Sequence, residues 1–289
     1  MRRSEQGPTG QDEHCRCEEM NLVTTIIIIV AVLLALLLVG WVGLQVEPAP
    51  FPPPVGSAAA PETVPLPEGL PQPVERFYRT LYGSDLPLIE SAGIGGRGTM
   101  RIGGITFPVR FRFTHETGRS YHHYIENMFF GLPVMKVNEY YTNGTARLEL
   151  PFGVVAGPKI DQGANLALWA EAVWMPAVWV TDPRAHFEPV NEHTAELVVP
   201  FGNAEERIIL RFDPKTALLQ EMRSMRYKGE ETEKKILWLN EVREWSRIDG
   251  RLLPGTVAIA WEDEASPWAV LTTEEVTYNA QEPLRTGGM

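Results

Sequence analysis

Asp161-Gln-Gly-Ala-Asn-Leu-Ala-Leu-Trp-Ala-Glu-Ala-Val-Trp-Met-Pro176 is the stretch that decides the fold. Leu166, Trp169, Ala170, Val173 and Trp174 recur at helical spacing, and Ala164, Ala167 and Leu168 make the opposite face apolar too. The pattern predicts a helix over 162–175, capped by Asp161 and stopped by Pro176. A helix apolar nearly all round has to be buried on both sides. From Gln162 to Thr181 the one ionisable side chain is Glu171. A carboxylate placed there is expected to have a raised pKa unless it is paired. Its functional reading is a general acid or base, or the polar hook of an apolar pocket. Its structural reading is a core carboxylate bonded to backbone groups or to an arginine such as Arg223.

On both sides of this helix the period is two. Val109, Phe111 and Phe113 alternate with Pro108, Arg110 and Arg112, and after the turn Glu116-Thr-Gly-Arg119 a second strand runs from Tyr121 to Phe130. Asn143-Gly144 marks a hairpin rather than a glycosylation site, and Asp213-Pro-Lys-Thr216 a type I turn. Ala195-Leu197-Val199, Ile208-Leu210-Phe212 and stretches near 217–227, 234–245, 255–262 and 268–278 each show one apolar face. Ten to twelve antiparallel strands imply a mainly β protein: a large curved sheet or half-open barrel wrapped on the internal apolar helix. Val74, Phe77, Tyr78 and Leu81 add a short amphipathic helix at the start of this domain. Gly95-Gly96-Arg-Gly98 and Gly103-Gly104 read as sites of bulges or bending, not as phosphate cradles.

The N-terminal quarter differs. Leu22 to Leu44 carries no charge and is long enough to span a bilayer as a helix. Trp41 falls where an interfacial aromatic belt would lie. A cleaved signal peptide would have a shorter apolar core and a small-residue site behind it, whereas Gln45-Val46-Glu47-Pro48 follows here. Arg2, Arg3 and Arg16 precede the run, and no Lys or Arg follows until Arg76, so the N-terminus is expected in the cytoplasm and the domain outside. Ten prolines between Pro48 and Pro73 predict an extended spacer holding the domain away from the membrane. The expected divisions are a tail over 1–21, a transmembrane helix over 22–44, a linker over 45–73, the β domain over 74–280 and a tail over 281–289.

The net charge of −11, with no Lys/Arg cluster expected in the globular part, argues against nucleic acid as a partner. Both cysteines, Cys15 and Cys17, lie ahead of the apolar run, and His14 beside them does not complete a zinc site. No nucleophile elbow, phosphate loop or dinucleotide fingerprint occurs, so no cofactor and no catalytic residue is assigned. Histidines 115, 122, 123, 186 and 193 yield no metal assignment: His122 and His123 point to opposite faces of a strand, and no His-x-His pair occurs. With a four-residue loop over 116–119, His122 would sit opposite Phe113 and Tyr124 opposite Phe111. His122, Tyr124 and Glu126 would then share an inward wall. Together with Glu171, Trp169 and Trp174 they are the candidate cavity residues.

The run Leu168-Trp-Ala-Glu-Ala-Val-Trp-Met-Pro-Ala177 resembles a Leu-Trp-x-Glu-x-x-Trp-x-Pro motif of an uncharacterised bacterial domain family. The likeness continues through Phe187-Glu-Pro-Val, Pro200-Phe-Gly, Arg211-Phe-Asp, Leu253-Pro254, Ala260-Trp261 and Pro267-Trp268, covering about Leu70 to Asn279. That family resembles the LolA-type lipoprotein-carrier fold, which implies a hydrophobic cavity and, for this chain, a lipid or acyl chain as ligand. The family brings no agreed activity. Its members often carry a basic residue near the start of the motif, where Leu166 and Ala167 stand here, so the resemblance supplies no ion-pair partner for Glu171. The alternatives are a surface interaction scaffold and a hydrolase acting through Glu171 or the His122/Tyr124/Glu126 wall.

Overall fold

The computed structural model describes residues 11–52 and 61–280, with the backbone alone for 11–21. The tail over 281–289, residues 1–10, 53–60 of the linker and the side chains of Cys15 and Cys17 lie outside the described part. Helix α1 (Gln11–Gly43) begins earlier than the apolar run. Its Leu22–Gly43 segment is long and apolar enough to cross a membrane, and none of its apolar window is buried. Beyond it come β1 (Thr63–Pro65), α2 (Gln72–Tyr82) and β2 (Asp85–Pro87). The first run of the main sheet is β3 (Ser91–Ile102), β4 (Ile105–Glu116), β5 (Ser120–Phe129), β6 (Leu132–Thr142), β7 (Thr145–Leu150) and β8 (Gly153–Val155). Helix α3 (Pro158–Ala170), a 3₁₀ turn (Glu171–Trp174) and α4 (Val178–Thr181) follow. The second run is β9 (His186–Asn191), β10 (Thr194–Phe201), β11 (Ala204–Phe212), β12 (Leu219–Arg226), β13 (Ile236–Ile248), β14 (Arg251–Trp261) and β15 (Ala269–Tyr278).

Thirteen strands form one antiparallel sheet in the order β8-β7-β6-β5-β4-β3-β15-β14-β13-β12-β11-β10-β9. The sheet is not closed: β8 and β9 are its two edges, and the segment joining them is the one containing α3. The chain therefore crosses from edge to edge through the inside of the curve. That is why residues 162–170 are all buried and why the sequence there is apolar on every side. Polar groups on α3 are satisfied across the gap. Asn165 Nδ2 donates to Pro200 O at 3.0 Å, and Tyr141 Oη donates to Asn165 Oδ1 at 2.9 Å.

Two details of the helix differ from expectation. It starts at Pro158 behind Gly157, with proline in the first turn where its missing N–H costs nothing. Asp161 instead accepts the Ala146 N–H at 2.6 Å, tying α3 to β7. The helix also ends at Ala170, because the backbone tightens into the 3₁₀ turn before Pro176.

The ends of the curved sheet are unlike each other. At one end α2 is a stopper: Val74, Phe77 and Tyr78 are buried, and Phe77 packs on Phe212, Trp179 and Trp245. Tyr78 Oη donates to Pro176 O at 2.7 Å. At the other end α1 arrives. The Phe130 N–H donates to Gly43 O at 2.9 Å, and the rings of Phe129 and Phe130 press on Gly43.

The start of the linker is not a free spacer. Arg97 donates to Pro48 O, Arg110 to Ala49 O and Arg112 to Pro52 O. The guanidinium of Arg110 lies 4.3 Å over the Phe51 ring. Residues 47–52 are thus strapped along the outer face of β3, β4 and β5. Register sets Arg97 directly opposite Arg110, a basic cluster that the sequence pattern hides. Glu274 beside Arg97 and Glu126 beside Arg110 offset it.

Candidate functional site

Between α3 and the concave face lies a cavity of about 480 Å³, within the range of small-molecule sites. Its walls include Met135, Val137 and Leu148 from one half of the sheet and Met222, Val257 and Leu271 from the other, roofed by Ala167, Ala170 and Val173. Ile102, Phe152 and Trp268 mark its mouth, at the end of the sheet where α1 arrives. Met100, at the mouth, stands opposite Phe107, and Phe113, at the floor, lies six residues further along β4. At ~3.4 Å per residue the cavity runs roughly 20 Å along the strands.

The floor is charged. Glu171 Oε2 lies 2.7 Å from His123 Nε2 and 3.1 Å from His115 Nε2. His115 comes from β4 and His123 from β5, on the same inward face, and both are buried. Neither ring nitrogen of His115 makes a well-formed hydrogen bond, even though Nε2 is close to Glu171. On its other side His123 Nδ1 is 3.7 Å from Glu139, which accepts the Tyr121 hydroxyl at 2.7 Å. Arg226 enters from β12, its guanidinium 4.4 Å from the Trp238 ring, and its Nε is buried without a hydrogen-bond partner.

Burial alone would push Glu171 up, as the sequence suggests, but the charge of His123 and the two imidazoles outweigh it and hold the carboxyl near 2. Burial likewise disfavours the charged form of His123, yet Glu171 and Glu139 raise its pKa to about 9. His115, with burial dominant, goes down. Burial also lowers Arg226, against the pull of Glu139 and Glu171. A raised pKa is expected only of an unpaired Glu171; the residue is paired and its pKa goes down, but its partner is not Arg223. Arg223 lies on the outside, bonded to Glu221, and two histidines hold Glu171.

Of the residues singled out from sequence, Glu171 and Trp174 line the cavity. Trp174 Nε1 donates to Thr273 Oγ1 at 2.9 Å. Trp169 is fully buried away from it, its carbonyl accepting from Trp179 Nε1. His122, Tyr124 and Glu126 share a face of β5, but the outer one. The loop after β4 spans three residues, not four, because Gly118 at φ 66 lets Arg119 N close on Glu116 O. Ser120 therefore pairs with Glu116, and Phe113 with His123. A one-residue slip exchanges the faces of a strand. His122 stacks on Tyr140 and bonds to Asn138 there. Tyr124 donates to Glu126, and Glu126 holds Arg110 at 2.6 Å. These two residues support the arginine under the linker strap.

The chain belongs to a family of unknown function, DUF6544, whose model matches residues 61–272. No curated protein matches it. Among solved structures, a LolA superfamily protein from Nitrosomonas europaea is similar at 10% identity and TM-score 0.46, covering 73% of this chain and 93% of that one. A DUF1329 family protein from Desulfovibrio piger is similar at 13% identity and TM-score 0.39, covering 68% and 88%. A domain from Vibrio parahaemolyticus described as outer membrane lipoprotein-sorting is similar at 10% identity and TM-score 0.40, covering 73% and 91%.

Proposed function

We propose that this is a membrane-anchored domain that takes the apolar chain of a lipid or acylated molecule into the cavity between α3 and the sheet. The observation that carries the reading is the position of the mouth. The cavity opens at the end where α1 meets the domain, and the exposed apolar side chains of that end surround it. Leu132 is 67% exposed and Phe152 77%, with Phe130, Val134 and Val154 beside them. With Leu22–Gly43 in a bilayer, the contact of Gly43 with Phe130 sets these hairpin tips at the membrane surface. Apolar tips of this kind gain about 25 cal/mol per Å² of surface removed from water. A lipid then passes from bilayer to cavity without crossing water, and the strap over 47–52 keeps the mouth in place. Residues 47–52 are a clamp on this reading.

The full chain, purified in detergent and transferred to an amphipathic polymer, is expected to retain lipid detectable by mass spectrometry. Ala170→Trp fills the cavity from its roof and is expected to remove most of that lipid while the β-sheet circular dichroism is kept. Wild-type chain free of lipid, or equal retention by a folded variant, would sink the reading.

The membrane contact is tested separately, with Cys15 and Cys17 replaced by serine. An environment-sensitive fluorophore on Phe152→Cys in lipid vesicles is expected to shift to the blue and to be quenched by brominated acyl chains. The same label on Lys215→Cys, at the α2 end, is expected to report water. Matching emission from both labels counts against a bilayer-facing mouth.

A further inference from the structure

We propose that His115, His123 and Glu171 form a binding site for a divalent transition metal, of which Zn²⁺ is the chemical type, at the floor of the cavity. The three ligand atoms lie within 4.8 Å of one another. Two imidazoles and a carboxylate suit a borderline metal, and three protein ligands leave a fourth position open. Bonds of ~2.0–2.1 Å to a tetrahedral ion would separate the ligand atoms by about 3.3 Å. The contacts of 3.1 Å and 2.7 Å to Glu171 need to open by only about half an ångström to reach that spacing.

Two further observations point to an ion. His115 is buried, with its Nε2 aimed at the Glu171 carboxylate and no hydrogen bond at either nitrogen. A buried imidazole whose Nδ1 has no partner and whose Nε2 meets only a poorly aligned carboxylate is costly for a fold that needs it only for packing. Behind His123 stands Glu139, itself held by the Tyr121 hydroxyl. At 3.7 Å from Nδ1 it lies beyond hydrogen-bonding distance, and it stands where a carboxylate behind a ligating histidine would orient the ring. The ligands also come from rigid elements: two neighbouring strands, and the 3₁₀ turn braced by Trp174 through Thr273. Glu171 and His123 line the cavity, so the open position faces whatever the cavity holds. The oxygen of a carboxylate, phosphate or carbonyl group is the chemistry that would complete it, with Arg226 on the same cavity to meet its charge.

The full chain, without a polyhistidine tag, is stripped with chelator in detergent micelles and titrated with Zn²⁺ against a chromophoric chelator. Uptake of one equivalent is expected. His115→Ala and His123→Ala are expected to weaken it by 100-fold or more, and His186→Ala, on an exposed histidine, to leave it unchanged. Glu139→Gln, a change at a positioning residue, is expected to weaken it about 10- to 100-fold. Because a cavity-floor variant can fail to fold, X-ray absorption of the zinc-loaded wild type gives a reading that needs no variant. Two imidazoles in the zinc shell support the site. No saturable uptake, a shell without two imidazoles, or equal uptake by folded His115→Ala and His123→Ala overturns it.

Discussion

Metal-stripped chain carrying Glu171→Leu is expected to lose about 3 kcal/mol of stability near pH 6. Two lines of reasoning meet at that figure. Raising His123 from 6.5 to about 9 against its burial corresponds to a net of roughly 3 kcal/mol, to which Glu171 contributes most and Glu139 the rest. Removing one partner of a buried ion pair costs about 3–5 kcal/mol, because the other charge stays behind uncompensated. Leucine keeps the volume, so loss of packing contributes little.

The pH dependence separates this electrostatic cost from packing. The folded pKa of His123 is raised, so its contribution is complete below 6.5 and is lost as pH climbs through about 9. The folded pKa of Glu171 is depressed, so its contribution is present above 4.5 and is lost as pH falls towards 2. The metal-stripped wild type is therefore expected to be most stable between about pH 4.5 and 6.5 as far as this pair decides it. Glu171→Leu flattens both slopes. Pairing it with His123→Phe removes the orphaned charge and is expected to restore part of the loss. Urea melts across that pH range measure all of this. A variant within 1 kcal/mol of wild type, or one keeping the wild-type slope above pH 7, means the pair does not hold the floor.

The same cluster marks the boundary of what the sequence reveals. Features that depend on neighbouring residues were legible: alternation at Val109, Phe111 and Phe113, the Asn143-Gly144 turn with both residues at positive φ, and the burial of residues 162–170. The seat of α3 inside a curved sheet followed from its having no polar face. Features that depend on register or on distant pairing were not. Whether His122 or His123 faces inward turns on one residue of loop length, and Gly118 was the signal, since a glycine in the left-handed region closes the shorter turn. Glu171 stands 48 residues from His123, and no local pattern states that they touch. The binding of the linker's first residues is hidden for the same reason: proline content describes a chain that cannot build a core, but not the three arginines that bind the carbonyls of Pro48, Ala49 and Pro52. The glycines of β3 were half legible. The bulge falls opposite Gly95 and Gly96 as expected, whereas Gly103 and Gly104, both at positive φ, simply turn the chain into β4.

Those β3 glycines lead to the second large effect, a sharp difference between neighbours. β3 and β15 form the seam that joins the two halves of the sheet, the first half ending in β8 and the second in β9. A Cβ at Gly96 would stand 2.0 Å from the carbonyl oxygen of Thr272, and one at Gly98 2.1 Å from that of Val270. Both clashes are with backbone, which cannot yield without parting the ladder. At Gly95 and Gly93 the added atom would meet side-chain atoms alone, of Glu275 and Thr277, which can shift where a ladder carbonyl cannot. Gly96→Ala and Gly98→Ala are therefore expected to cost about 3 kcal/mol or more, and Gly95→Ala less than about 1. The seam also carries Thr273, which holds the indole of Trp174, and Leu271, which lines the cavity beside it. Parting it would open the floor, so Gly96→Ala chain is expected to lose retained lipid together with stability. Urea melts of the three single variants test the contrast. If Gly96→Ala melts with Gly95→Ala, the close approach of β3 to β15 is not what draws the two half-sheets around α3.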